Sequence, residues 1–319
     1  INLGKHSFEV GRNFSNKIWN AYRFLSMNLE SIDTDFKKYA EHFTLEDKWI
    51  LSRYHQTIKT VTENIDKFRV NDAIEAVYHF FWHDYCDWYL EMIKKRLYRP
   101  EDEIEKNTAL AIASYLMKGS MELLHPFIPF ITEEIWQNFK SGDENSVVQS
   151  PWPVADDTLI DKASEKSIGF LQEVISGIRN LRAEMNVEPG KKINLVLDKN
   201  SAKWDLVINN RDHFAALAKV EQIEPMNDDF VKDDAGTLVV QQTEFFIPLA
   251  DLIDVEKEKQ RLARELERLE GLQKSLSVKL NNQKFLEKAP EAVVEKERVK
   301  LKNIRENLTK VRVNYEKFN

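Results

Sequence analysis

Arginine and asparagine side chains recur at helical spacing close to the start of this 319-residue sequence. Steps of four, four and three residues place Arg12, Asn16, Asn20 and Arg23 on one face of a helix. Guanidinium and amide groups aligned in this way can bond to nucleic-acid phosphates and base edges, whereas an inert helix face more often carries glutamate and lysine. We therefore predict an RNA contact here, with a merely solvated helix as the alternative. The predicted contact residues of this segment are Arg12, Asn13, Asn16, Lys17, Asn20 and Arg23.

A second candidate surface is a block of seven aromatic residues between Tyr78 and Tyr89. Flat rings on the polar side of a helix can stack unpaired bases. Core packing accounts for most of these rings, but we expect some to be exposed. Trp88 and Tyr89 are the predicted stacking residues.

Catalytic and metal-binding patterns are weak. His79 and His83 lie one helical turn apart and with Asp87 suggest a metal-dependent hydrolase, but Phe80 stands where a zinc protease carries its catalytic glutamate. We interpret both histidines as ordinary members of the aromatic block. The nine glycines are scattered and form no phosphate-binding loop, and no serine lies in a nucleophile-elbow pattern. We predict no catalytic residue and no metal site.

Charge is distributed unevenly along the chain. The formal net charge is −7, but the residues from Asp251 onward hold 17 Lys and Arg against 13 Asp and Glu, which leaves −11 for the rest. Locally clustered positive charge is sufficient to hold phosphates.

The single cysteine, Cys86, rules out an intrachain disulfide, and no apolar run is long enough to span a membrane. We expect a cytoplasmic protein.

Hydrophobic periodicity predicts a mainly α fold with three segments. Apolar residues at helical spacing predict a helical bundle over 1–150, beginning with the stripe that contains Phe14, Ile18 and Leu25. Turn formers and prolines at 141–153 predict its end. The alternating, β-branched stretches 192–197, 236–240 and 243–247 predict a small α+β domain over 151–250.

The last segment, 251–319, carries the most regular pattern. Leu262, Leu266, Leu269 and Leu276 follow a heptad, and a second seam that includes Ile304 and Leu308 follows a break at Pro290. Two long helices with a short connection must fold back on each other. We predict an antiparallel two-helix coiled coil that forms an arm.

Several of these motifs, in this order, resemble the anticodon-binding helical domain of class I aminoacyl-tRNA synthetases of the valine, isoleucine, leucine and methionine group. The motifs are Arg12 with Asn13, NKIWNA at 16–21, DWYLE at 87–91 and HPFIPFITEEIW at 125–136. Within the group, LNN at 280–282, Phe285 and KAPEAVVEKER at 288–298 resemble the terminal arm of bacterial valyl-tRNA synthetases. Isoleucine enzymes commonly end in a cysteine-ligated zinc module, which one cysteine cannot build.

The resemblance implies a tRNA(Val)-binding portion of an enzyme that ligates valine to tRNA with ATP and Mg²⁺. The domains that activate the amino acid as an adenylate and that edit it would precede Ile1. This chain should therefore carry no cofactor and should not aminoacylate tRNA by itself. The bundle would read the anticodon, and the arm would contact the outer corner of the tRNA. The predicted arm contacts are Arg261, Arg264, Arg268, Arg298, Lys302 and Arg305.

Alternative interpretations stay open at this point. Lysines and glutamates that flank a heptad seam ordinarily form ion pairs between helices, so the arm charges need no RNA. A non-enzymatic scaffold with a coiled-coil arm, or an isoleucyl-type synthetase, would also fit the pattern. We expect a monomer that binds tRNA and neither DNA nor a membrane.

Overall fold

The computed structural model describes residues 5–29, 34–140, 145–248, 255–282 and 291–316. These residues form two compact units. The first contains the residues up to Arg179 together with Lys199–Val220 and Val239–Thr243, and the second contains the remainder. The fold is mainly α, as predicted. The division at 150 and 250 stays a prediction.

Within the described ranges, ten α-helices precede the last two in the chain. They are α1 (Lys5–Ser26), α2 (Leu45–Asp66), α3 (Val70–His79), α4 (Leu90–Met92), α5 (Lys94–Tyr98), α6 (Glu103–Leu124), α7 (Pro129–Trp136), α8 (Lys162–Glu184), α9 (Trp204–Asn209) and α10 (Arg211–Ala218). Short 3-10 turns lie at Phe36–His42, Val147–Gln149, Asp157–Leu159 and Lys232–Asp234. None of the helices in the described residues is long and apolar enough to cross a membrane.

Local side-chain bonds set several helix starts. Before α2, the Thr44 backbone N–H donates to Asp47 Oδ2 at 3.1 Å, and before α6, Asp102 accepts from the Glu105 backbone N–H at 2.7 Å. Each carboxylate satisfies an N–H group that has no partner within its helix. Pro129 occupies the first turn of α7, where its missing N–H costs nothing. Sequence signals therefore explain where these helices begin.

Helix α1 packs through the predicted apolar stripe. Phe14, Ile18, Ala21 and Leu25 are buried, at most 6% exposed. Their period of three and four residues keeps them on the inner face of the helix from Phe14 to Leu25. The opposite face is therefore left to solvent.

The segment after α3 forms a ten-residue π-helix, Phe80–Tyr89, which we call the π-segment. At its end the Leu90 N–H donates to the Tyr85 carbonyl, five residues back. Phe14 of α1 lies 4.7 Å from the Tyr78 ring, and Phe24 lies 6.4 Å from the Tyr98 ring. Helix α1 therefore contacts α3 through Phe14 and α5 through Phe24.

The sheet has four strands in the order β2-β1-β4-β3. The strands are β1 (Ile193–Leu197), β2 (Val220–Pro225), β3 (Ala235–Val240) and β4 (Thr243–Pro248). β1 and β4 pair antiparallel, with Val196 opposite Phe246 and Leu197 opposite Phe245. The three predicted strands are confirmed, and β2 is a strand that the pattern did not predict.

The last two helices are α11 (Val255–Leu280) and α12 (Glu291–Glu316). Leu269, Leu276, Ile304 and Leu308 form their buried seam. Lys279 pairs with Glu297 at 2.9 Å and Arg312 pairs with Glu270 at 2.8 Å, so the two helices run in opposite directions. The antiparallel coiled coil is confirmed. Pro290 lies outside the described residues.

Candidate nucleic-acid interface

The polar stripe of α1 faces solvent. Arg12, Asn13, Asn16, Asn20 and Arg23 are all exposed, on the side of α1 away from its buried residues. Arg12, Asn16, Asn20 and Arg23, whose spacing predicted a shared face, are therefore all accessible to solvent. Their contact with RNA stays a prediction.

Lys17 differs from its neighbours because it is held within the protein. Its Nζ lies 2.5 Å from Asp87 Oδ1 and 5.5 Å from the centroid of the Trp82 ring. The other oxygen of Asp87 lies 3.3 Å from His83 Nδ1. Lys17 therefore ties α1 to the π-segment, and an RNA phosphate would compete with Asp87 for it.

Tyr89 corrects the prediction of an exposed stacking ring. The side chain is 0% exposed, and its hydroxyl donates to Asp47 Oδ1 at 2.9 Å. It follows Phe81 and Tyr85 at spacings of four, and the three rings form one inward-facing row. That spacing was a sequence signal for burial. The ring cannot stack a base, and burial raises the pKa of Tyr89 well above its usual value.

Beneath Tyr89 lies a buried charge cluster that sequence reasoning missed. Arg96 Nη1 donates to Asp47 Oδ1 at 2.9 Å and lies 3.5 Å from Glu46 Oε1. His213 Nε2 lies 3.5 Å from the other oxygen of Glu46. Burial alone would raise the pKa of Glu46, but the bond to His213 and the charges of His213 and Arg96 lower it to about 2. The cluster joins the start of α2 to Arg96 of α5 and His213 of α10.

Trp88 is half-buried and already has a cation against it. The Arg179 guanidinium lies 5.4 Å from the Trp88 ring centroid, and Arg179 Nε donates to the Leu217 carbonyl at 2.7 Å. This contact occupies part of the ring surface that a base would need. Stacking on Trp88 stays a prediction, and it would have to share the ring with Arg179.

The histidine pair does not assemble a metal site among the described residues. The rings of His79 and His83 lie 5.1 Å apart, but the described residues contain no group of three His, Cys, Asp or Glu placed to hold an ion. His83 is instead bonded to Asp87. Cys86 is buried, and burial raises the pKa of its thiol far above the usual value, so it is not a reactive thiolate.

Five of the six predicted arm cations lie on the exposed surface of the coiled coil. They are Arg264, Arg268, Arg298, Lys302 and Arg305, and the side chain of Arg261 lies outside the described residues. Arg268 and Arg298 pair with Glu265 and Glu295 of their own helices. The ion pairs found between the described parts of the two helices use Lys279 and Arg312 instead. The five exposed cations therefore take part in none of the interhelical ion pairs found among the described residues.

The exposed ring of Trp19, beside the polar stripe, was absent from the prediction. Trp19 is 39% exposed, and its ring lies 5.4 Å from that of Tyr22. It stands seven residues after Arg12 and four before Arg23, which is the spacing of the stripe itself. That spacing was the sequence signal that could have placed Trp19 on the accessible face of α1.

Two family models match the chain. The anticodon-binding domain of tRNA ligase matches residues 47–197, and the valyl tRNA synthetase tRNA binding arm matches residues 254–318. The first match begins after α1, so the polar stripe lies outside it. The second covers both helices of the coiled coil.

Curated relatives are similar over most of the chain. The valine--tRNA ligase of Clostridium perfringens is 40% identical over 293 residues, which is 92% of this chain and 33% of that protein. The valine--tRNA ligase of Listeria monocytogenes is 39% identical over 292 residues, 91% of this chain and 33% of that protein. The chain thus spans about a third of the length of the curated relatives it matches.

A solved structure gives a weaker likeness. The LeuRS of Agrobacterium radiobacter K84, in a ternary complex with tRNA and LeuAMS, aligns with a TM-score of 0.35 at 14% identity. The alignment covers 70% of this chain and 25% of that one.

Proposed function

Because the chain belongs to the family of valine--tRNA ligases, over about a third of their length, we propose that it is a part that holds the tRNA. The bundle binds the anticodon loop, and the coiled-coil arm binds the outer corner of the same molecule. The observation that carries the proposal is the presence, in one chain, of matches to an anticodon-binding domain and to a tRNA-binding arm. The polar face of α1 and the cations of the arm supply the chemistry.

The α1 stripe is suited to a single-stranded loop. The bases of such a loop can be unstacked and read on their Watson–Crick edges, which a paired helix hides. Exposed asparagines offer both donors and acceptors, and arginines offer charged donors to phosphates. The bonded, half-buried Lys17 serves mainly to hold α1 against the π-segment.

The arm is suited to backbone contact. Exposed cations lie along both helices, and the two ion pairs found between the helices among the described residues use other side chains. Binding to phosphates releases counterions, so the arm contributes affinity that falls with salt and depends little on sequence. Recognition of valine tRNA in particular is assigned to the bundle.

The whole protein joins valine to tRNA(Val) in a reaction that consumes ATP in the presence of Mg²⁺. We assign ATP and Mg²⁺ to parts of that protein outside this chain, and the 319 residues by themselves do not aminoacylate. The protein acts in the cytoplasm as a monomer. Neither DNA nor a membrane is part of this function.

The test is a binding comparison with valine and isoleucine tRNA transcripts, each also prepared with the other's anticodon. We expect the purified chain to bind the valine transcript, and the anticodon swap to carry most of that preference to the isoleucine transcript. Sizing of the free chain in parallel tests the scaffold alternative, which requires self-association and no RNA. Absence of any complex with the valine transcript at low salt would refute the proposal.

A further inference from the structure

Trp19 is the aromatic residue placed within the polar stripe of α1. Arg12, Asn16, Trp19 and Arg23 follow one another at spacings of four, three and four, so they share one face of the helix. At 1.5 Å per residue, Asn16 and Arg23 lie about 4.5 Å and about 6 Å from Trp19 along the axis. A group that stacks on this ring therefore lies within reach of both an amide and a guanidinium.

The ring is braced by its neighbours. It lies 5.4 Å from the Tyr22 ring at an interplanar angle of 52°, and Tyr22 makes an edge contact at 6.0 Å with Phe139. Phe139 is buried, 1% exposed, and so anchors the row to the core of the bundle. A ring that is already ordered loses little conformational entropy when a ligand binds.

The other rings considered for stacking are less available. Tyr89 is fully buried, and Trp88 is half-buried with the Arg179 guanidinium against it. Among the described residues, Trp152 has a similar exposure to Trp19, at 36%, but it lies outside the polar stripe and its Nε1 donates to Thr62 Oγ1 at 2.9 Å. Exposure alone therefore does not distinguish Trp19, whereas its position between Asn16 and Arg23 does.

We propose that Trp19 is the stacking platform for one unpaired base of the RNA loop, with Asn16 reading the edge of that base and Arg23 holding an adjacent phosphate. The inference rests on the proposed function and assigns a residue to it. A single-stranded RNA is the favoured occupant because amide and guanidinium groups flank the ring on the same face. An apolar protein segment would leave those polar groups without partners.

The test compares Trp19→Leu, which keeps apolar bulk but removes the flat ring, with Trp19→Phe, which keeps a smaller ring. The ligand is the anticodon stem-loop of valine tRNA. Stacking on an aromatic side chain contributes about 1–3 kcal/mol per base, so Trp19→Leu should weaken binding about 5- to 150-fold. Trp19→Phe should retain most of the affinity, and the matched control Trp152→Leu should leave it unchanged. Circular dichroism confirms that each variant folds.

Stem-loops with one abasic nucleotide at successive loop positions identify the stacked base. The wild-type protein should bind more weakly when the abasic nucleotide stands at one particular loop position. The Trp19→Leu variant should bind that stem-loop as well as it binds the intact one, because it lacks the ring on which the missing base would stack. If Trp19→Leu binds the stem-loop like wild type while Arg12→Ala binds it more weakly, Trp19 is not the stacking platform and the proposed function stands. If the wild-type chain binds no stem-loop and no transcript, the proposed function itself has failed.

Discussion

Lys17 of α1 and Asp87 of the π-segment form an ion pair, with Nζ 2.5 Å from Oδ1, at the edge of the polar stripe. Both side chains are about one third exposed, at 31% and 38%. A pair this accessible stabilises the fold by less than about 1 kcal/mol. Besides holding α1 against the π-segment, the pair decides whether Lys17 is available to a phosphate.

Asp87→Asn should therefore strengthen RNA binding. The substitution frees Lys17 and removes a negative charge from the border of the stripe, so the slope of log affinity against log salt should steepen by about 1. The measurement is a stem-loop titration at several salt concentrations. Lys17→Met should weaken RNA binding if Lys17 contacts the RNA in the wild type, and should leave it unchanged if Lys17 does not. An unchanged slope in Asp87→Asn would show that Lys17 contacts no phosphate.

Gly119 of α6 allows close approach to α2. An ideal Cβ at this position would lie 1.8 Å from the Tyr54 hydroxyl oxygen, and Tyr54 is 1% exposed and cannot move aside freely. Gly119→Ala should lower the free energy of unfolding by about 1–3 kcal/mol through overpacking. Gly169→Ala in α8 is the matched control, because nothing lies within 4 Å of its Cβ. That control should be neutral or stabilising by up to about 1 kcal/mol. Equal effects in urea unfolding would contradict the steric account.

Arg96 neutralises a buried pair of carboxylates. Its side chain is 5% exposed, and that of Asp47 is 0% exposed. Arg96→Met should destabilise the chain by about 3–5 kcal/mol because it leaves two buried carboxylates without the guanidinium that they share. The control is Lys95→Met, which removes an exposed pair with Asp212 and should cost less than about 1 kcal/mol. Similar unfolding midpoints for the two variants would show that the cluster contributes little.

His55 makes stability depend on pH. Burial lowers its pKa to about 4, and its Nδ1 accepts a hydrogen bond from the Asp156 backbone N–H at 3.1 Å. The folded chain therefore favours the neutral ring, while the unfolded chain takes up a proton near pH 6.5. The stabilisation is present above about pH 6.5 and is lost as the pH falls toward 4.

His55→Gln tests this dependence because it keeps an acceptor but removes the titration. Between pH 7 and pH 4.5 the wild-type unfolding free energy should fall by on the order of 2 kcal/mol more than that of the variant. Urea unfolding at a series of pH values measures the difference. Parallel pH profiles for the two proteins would exclude His55 as the source.

Those features of the fold that follow from residue spacing within a single helix could be predicted from the sequence. The buried stripe of α1, its exposed polar face and the heptad seam of the coiled coil each follow from spacing along one helix. Strand β2 was missed because it lies at the edge of the sheet, where five of its six residues stay at least partly exposed and the alternation is weak. The pairing of Arg96 with Asp47, 49 residues apart, has no local signal at all.

Substitutions in the coiled-coil arm distinguish an RNA-binding role of its cations from a structural role most directly. Arg264, Lys302 and Arg305 are exposed, and none of them pairs with a carboxylate of another described residue, so their removal should not weaken the coiled coil. Replacing all three by alanine should reduce both the affinity for full-length valine tRNA and its salt slope, by about one unit for each phosphate that the arm no longer binds. Binding of the isolated anticodon stem-loop should not change, because it lacks the outer corner.

Lys279→Ala with Arg312→Ala is the matched control for that triple variant. These residues form the interhelical pairs with Glu297 and Glu270, so their removal should slightly lower the melting temperature of the coiled coil and leave the salt slope unchanged. Deleting 251–319 should reduce the slope in the same direction as the triple variant, and by more. If the triple variant and the control show the same slope as wild type, Arg264, Lys302 and Arg305 make no electrostatic contact with tRNA, and an unchanged slope in the deletion variant would extend that conclusion to the whole arm.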